Sequence, residues 1–133
     1  DFMVIVRIES FILGKGLKDA LKRAEIYSKA GADAILIHSK EKTPTEIFSF
    51  AKEFRKSKNF KTLVSVPSTY SKVYEKDLIK NGFKVVIYAN QLLRAAYPAM
   101  HKAAKSILEK NRAFEIDKKI IPIKEIINLI KND

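Results

Sequence analysis

Cysteine is absent from the 133 residues, which removes disulfides, thiolate metal sites and a cysteine nucleophile together. No apolar run is long enough to span a bilayer, and the opening residues do not read as a basic-then-apolar leader. A soluble protein of the cytoplasm, with no membrane partner, is therefore expected. Several chemical signatures are also missing. There is no HExxH zinc pattern, no paired aspartate and no Ser-His-Asp spacing. The dinucleotide fingerprint fails because Gly14-Lys15-Gly16 lacks the third glycine at the required distance. Zinc-finger, RNP and basic-heptad patterns are missing too, which counts against nucleic acid as a partner.

What the chain has is charge of one sign. Lysine and arginine number 26 against 15 acids, a formal net charge of +11. A basic balance can serve nucleic acid, an anionic surface or a phosphorylated small molecule. Here the cations are dispersed, as in Lys18-Asp19, Lys22-Arg23, Lys40-Glu41-Lys42 and Lys52-Glu53, and they alternate with acids and apolar residues. That dispersion reads as solvated helix faces. With 47% hydrophobic residues the chain is long enough for one globular domain with a core.

Apolar runs and amphipathic stretches alternate along the chain. Phe2 to Ile8 is nearly continuous in apolar residues and predicts a buried strand. Because the chain opens inside that strand, a segment of a longer polypeptide is expected. Leu17, Ala20, Leu21, Ala24 and Tyr27 follow helical spacing up to Lys29, and Gly31 stands where a left-handed cap belongs. Ala34 to Ile37 predicts a second strand. Thr43-Pro44-Thr45-Glu46 reads as a capping box, with Thr43 at the N-cap and Glu46 at N3. The helix behind it carries Ile47, Phe50, Ala51 and Phe54. Further strands are predicted at Thr62 to Val66 and Val85 to Tyr88, with a short helix at Glu75 to Lys80 between them. Helices from about Leu92 to Glu109 and Ile123 to Ile130 complete the pattern.

Strand-helix repetition calls for parallel pairing through crossover helices. The fold class is α/β, either an open doubly wound sheet or part of a (β/α)8 barrel; four strands make half of one. In both, ligands meet the C-terminal strand ends. Those ends deliver Arg7 and Glu9, then His38 and Ser39, then Pro67, Ser68 and Thr69, then Asn90 and Gln91. Guanidinium, imidazole and hydroxyl groups on one rim suit a phosphate or carboxylate. Plainer readings exist for each: Arg7 paired with Glu9, His38 satisfying a loop carbonyl, Asn90 capping the long helix. His101, well inside that helix, reads as structural.

The stretches Arg7 to Gly16, Ala20 to Ala24 and Gly31 to Lys40 resemble the phosphoenolpyruvate mutase branch of the isocitrate lyase superfamily. So do Val66 to Tyr70, Val86 to Met100 and Pro122 to Ile127. The resemblance implies the C-terminal half of a (β/α)8 barrel, and a Mg²⁺-dependent interconversion of phosphoenolpyruvate and phosphonopyruvate, the entry to phosphonate biosynthesis. It implies that Arg7 and His38 contact the substrate as catalytic residues, with Ser39 beside them. Glu9, Pro67, Ser68 and Asn90 would form the surrounding layer. The family's Mg²⁺ ligands precede the position of Arg7, so no metal ligand is expected among these residues. A homotetramer with exchanged C-terminal helices is also implied, as is one partial domain over 1–133 with a helical tail from about residue 112. The chain departs from the family at Gln91, where histidine is usual, and at Ser68, where threonine is commoner.

Phosphonopyruvate hydrolase is the nearest alternative, sharing His38, the Lys42-Thr43-Pro44 turn and Ile87-Tyr88. Isocitrate and methylisocitrate lyases rank lower, because they carry an acidic residue at His38-Ser39. A non-catalytic barrel half that needs a separate partner chain is the third reading.

Overall fold

The computed structural model describes residues 2–129. It divides into two compact units, Asp1–Ala89 and Asn90–Asp133. The first holds four strands, β1 (Ile5–Ile8), β2 (Ala34–Ile37), β3 (Thr62–Ser65) and β4 (Phe83–Val86). They alternate with helices α1 (Gly16–Lys29), α2 (Thr45–Phe54) and α3 (Glu75–Lys80). All pairings are parallel and the spatial order is β1-β2-β3-β4, the same as the order in the chain. A doubly wound sheet must reverse its strand order at a switch point. This sheet does not reverse, so the open alternative is excluded and barrel-type winding remains.

Burial splits the sheet by strand alternation. Ile8, Ile35, Ile37, Leu63 and Phe83 pack with Ala20 and Ala24 of α1, with Ile47, Phe50, Ala51 and Phe54 of α2, and with Leu78 of α3. All three helices therefore cover one face. The intervening residues Ala34, Leu36, Val64 and Val66 form a separate small cluster on the other face. Phe50 and Phe54 stack at 5.3 Å between ring centres, and Phe48 lies 6.5 Å from Phe83.

The ends of the elements follow local rules. After α1, the Gly31 N–H bonds to Ser28 O (3.3 Å) and the Ala32 N–H to Tyr27 O (3.0 Å), with Gly31 at φ +103°. That is a Schellman closure, which needs the left-handed conformation glycine adopts without strain.

Three expectations need correction. The first strand begins at Ile5 rather than Phe2, and only Ile8 within it is buried. It lies at the edge of the sheet, with β2 on one side only; Ile5 stays open, Val6 is half-buried against the core, and Phe2, ahead of the strand, is 90% exposed. The fourth strand is Phe83–Val86 instead of Val85 to Tyr88. Fully buried Phe83 pairs with Leu63 and draws the strand two residues earlier, with a register shift before Val64↔Val85. The capping box does not form: α2 starts at Thr45 with no side-chain cap, and Thr43 Oγ1 lies 3.1 Å from Thr45 Oγ1.

The second unit contains α4 (Gln91–Lys110), α5 (Phe114–Asp117) and α6 (Ile123–Ile127). The α4 helix runs through Pro98 and ends at Asn111 in the left-handed conformation. Leu93, Tyr97, Met100 and Ile107 follow its helical spacing and are exposed. His101 is also exposed and stacks with Tyr97 at 6.1 Å. The short helix α5 has no counterpart in the sequence reading. Its Glu115 accepts from Arg112 Nε at 2.9 Å. The predicted last helix ends at Ile127, and its expected final residue, Ile130, lies outside the described residues.

Candidate functional site

Strand pairing decides which rim residues meet. Arg7 pairs in register with Leu36, so both side chains leave the same face of the sheet. His38 lies two residues beyond Leu36 and therefore returns to that face. Glu9, two residues beyond Arg7, does so as well. Arg7, Glu9 and His38 thus stand together beyond the Ala34-Leu36-Val64-Val66 cluster, on the face opposite the one that α1, α2 and α3 cover.

Electrostatics confirms their proximity. The pKa of His38 is depressed below the ordinary 6.5, chiefly by burial and then by the positive charge of Arg7, with Glu9 opposing. The imidazole is therefore neutral at physiological pH. Its Nδ1 is buried and finds no hydrogen-bond partner among the described residues.

Arg7 and Glu9 form an ion pair through the guanidinium Nε and one carboxylate oxygen. Their side chains are 50% and 37% exposed, so the pair stands in solvent. Such a pair adds little stability in solvent. Its geometric effect is larger. With Nε occupied by Glu9, the two terminal amino groups of Arg7 make no hydrogen bond among the described residues. Those are the groups that grip an oxyanion in bidentate fashion.

Ser39 has a different place from the one expected. It is fully buried. Its hydroxyl donates to a Glu46 carboxylate oxygen and accepts the Glu41 N–H at 3.0 Å, while its carbonyl accepts from Thr69 Oγ1 at 2.8 Å. Its hydroxyl and carbonyl thus tie the loop after β2 to α2 and to the loop after β3. Ser39 positions the segment that carries His38. Sequence reasoning gave Glu46 to a capping box; a carboxylate seven residues beyond a buried serine, with a helix start between them, was the signal available.

Pro67 is buried and Ser68 half-buried, with the Ser68 N–H bonded to Val66 O at 2.8 Å. Both shape the turn after β3. Asn90 occupies the N-cap position of α4 but makes no capping bond there, and its Oδ1 is buried without a partner. Gln91 Oε1 accepts the Asn90 N–H at 3.1 Å. Both residues belong to the second unit.

The loop after β1 is braced by residues that sequence reasoning did not single out. Asp19 accepts from Ser10 Oγ and from Arg23 Nε, each at 2.7 Å. The Ser10 bond, followed by that of Arg23, holds the Asp19 carboxyl below the ordinary range. Tyr88, just past β4, donates to Glu75 at 2.7 Å, which raises its pKa.

The sequence model of the family described as phosphoenolpyruvate phosphomutase matches residues 1–108. A phosphoenolpyruvate phosphomutase of Tetrahymena pyriformis is 43% identical over 133 residues, covering 100% of this chain and 43% of that protein. The crystal structure of a phosphoenolpyruvate phosphomutase from Streptomyces platensis subsp. rosaceus superposes with a TM-score of 0.82 at 38% identity, over 96% of this chain and 44% of that one. A phosphonopyruvate hydrolase solved with oxalate and Mg²⁺ gives the same TM-score at 40% identity, over 96% and 44%. The chain therefore spans less than half the length of the relatives it matches, in keeping with half of a (β/α)8 barrel.

Proposed function

The chain belongs to the phosphoenolpyruvate phosphomutase family, and from that premise we propose that the whole protein interconverts phosphoenolpyruvate and phosphonopyruvate. In the forward direction the P–O bond of the enol phosphate breaks and a P–C bond forms. This chain supplies the side of the site that holds the substrate's oxygens. On this reading residues 1–133 are a single partial domain with a helical tail from about residue 112, acting in the cytoplasm within a homotetramer.

The observation that carries the proposal is the shared position of Arg7 and His38 at one rim, with Glu9 on the guanidinium Nε. The free terminal amino groups of Arg7 bind a phosphoryl or carboxylate pair. An N–H at Nδ1 of His38 would lack an acceptor, so the neutral ring carries its proton on Nε2 and offers it to a substrate oxygen. Phosphoryl migration through a loose transition state needs positioning and charge stabilisation more than covalent help. A fixed cation beside a neutral donor meets that need. Ser39, Glu46, Pro67 and Ser68 hold the loops, and Asn90 is assigned to the surrounding layer.

Mg²⁺ belongs to the proposal because a relative was solved with it. No group of three His, Asp or Glu residues able to hold a metal occurs among the described residues. The ion is therefore assigned to acidic residues elsewhere in the whole protein, and no step is routed through it.

The second reading, phosphonopyruvate hydrolase, is favoured by the 40% identity to that enzyme. Incubating the whole protein with Mg²⁺ and phosphonopyruvate and following ³¹P NMR separates the two. Appearance of phosphoenolpyruvate supports the mutase, and inorganic phosphate with pyruvate supports the hydrolase. Turnover of neither would leave a non-catalytic barrel half.

A further inference from the structure

The cations of this chain looked evenly dispersed in sequence, but the fold gathers some of them. A cavity of about 450 Å³ between α2 and α3 is lined by Lys52, Arg55 and Lys80, with Thr45, Ser49 and Asn81. No acid lines it. The Glu53 carboxylate on α2 is engaged by Lys56 at 2.7 Å. Lys52, Arg55 and Lys80 form no ion pair among the described residues.

The cavity continues in both chemistry and space. A second hollow of about 530 Å³ shares Phe48, Lys80 and Asn81 with the first and adds Lys42 and Lys72, with Asp77 its single acid. A third, of about 350 Å³, shares Lys42, Thr43 and Lys72 and reaches Thr69 and Ser71 beside the rim. Five cations thus follow one groove, from the Arg55 end to the loop after β3.

At one end of the groove the exposed Arg55 side chain lies over the backbone of the turn after α3. The Arg55 guanidinium lies across Gly82, over the position an added Cβ would take, and Arg55 also reaches the Lys80 carbonyl at 3.5 Å. Gly82 takes φ +90° there. Glycine therefore serves twice, by accepting the left-handed turn after α3 and by leaving room for the guanidinium. An arginine laid on backbone, with no carboxylate partner, keeps its charge for an incoming group.

We propose that the α2–α3 groove binds a small oligophosphate, several linked oxyanions in a row, at a site distinct from the Arg7-His38 rim. The row of cations matches a row of phosphates, and the hydroxyls and the Asn81 amide supply neutral hydrogen bonds. A single phosphate would use only one end of it. The ring of Phe48 gives an attached base an apolar wall, so a nucleoside triphosphate fits as well as the inorganic chain.

Titrating inorganic tripolyphosphate into the ¹⁵N-labelled full chain tests this. Saturable shifts confined to the amides of residues 42–55, 69–72 and 75–82 are expected, with affinity falling as salt is raised. The double variant Lys52→Ala/Lys80→Ala should weaken binding about tenfold, a size set by loss of two charge-assisted contacts. Lys18→Ala/Lys29→Ala on α1 should leave it unchanged. Equal loss in both variants, or shifts spread over every basic face without saturation, would overturn the proposal. A parallel titration with ATP reports the base: tighter binding than tripolyphosphate, with added shifts at Phe48, supports the apolar wall, and weaker binding removes the nucleotide from the ligand class.

Discussion

The two faces of the sheet are built on opposite terms. On the helix side, alternate strand residues and three helices close around Phe50, Phe54, Ile37 and Phe83, all at or below 1% exposure. On the other side only Ala34, Leu36, Val64 and Val66 are buried together, and Arg7, Glu9 and His38 stand beyond them. The first face is held by area removed from water. The second carries polar groups, Arg7 and Glu9 paired with each other and His38 with its Nδ1 unpartnered among the described residues. One strand serves both purposes because its side chains alternate, so the site gains rigidity from a core it does not interrupt.

Truncating each face should separate these roles. Phe50→Ala on the helix side should cost about 3–5 kcal/mol, the cost of a large buried cavity, and chemical denaturation would measure it. A loss below about 1 kcal/mol would mean that the helix face is not the main core.

Arg7→Ala on the open face should lower kcat/KM of the whole protein by about 100-fold, the usual effect of losing one preorganised donor to a reacting oxyanion. Its stability should stay within about 0.5 kcal/mol, because the side chain is half exposed and its ion pair is solvated. Comparable losses in both quantities would erase the contrast between the faces.

A subtler test uses His38. Arg7 depresses its pKa and Glu9 opposes that effect. By NMR titration, Glu9→Gln should therefore move the His38 pKa further down, and Arg7→Met should move it up. The sign for stability follows. A folded value below the ordinary 6.5 means that the unfolded chain binds the proton more readily, so stability falls as pH drops below about 6.5 and is retained above it. Shifts of the opposite sign would separate the three groups in space.

The smallest expected effect is at Tyr70. Its ring is fully buried, its hydroxyl makes no well-formed hydrogen bond among the described residues and only approaches the backbone of Val66, and burial pushes its pKa to about 12. Tyr70→Phe should be neutral or stabilising by about 1 kcal/mol, because a stranded buried hydroxyl is removed. Destabilisation would show that the hydroxyl is satisfied after all.

Much of the core face was legible in the sequence. Helical spacing located α1 and α2, Gly31 marked a helix end, and Ala34 to Ile37 and Glu75 to Lys80 form the elements expected of them. The edges were not legible. Whether Phe2 to Val4 joins β1, and whether β4 starts at Phe83 or Val85, depends on which strand lies alongside. Periodicity along one segment contains no information about its neighbour. The site shows the same division. The list of rim residues was readable from where the strands end, but the pairing of Ser39 with Glu46 was not, because a plausible local use for Glu46 hid the tertiary one.

By itself, then, the sequence determined the alternation of strands and helices, the apolar stripes that close the helix face, and the presence of Arg7 and His38 at strand ends. It did so because propensity, periodicity and turn chemistry are local properties. The tertiary structure decided the strand order that excludes a doubly wound sheet, and the register that sets Arg7 beside Leu36 and so beside His38. It also gathered Lys42, Lys52, Arg55, Lys72 and Lys80 along one groove. Charges far apart in a chain acquire a common field only when packing brings their helices together.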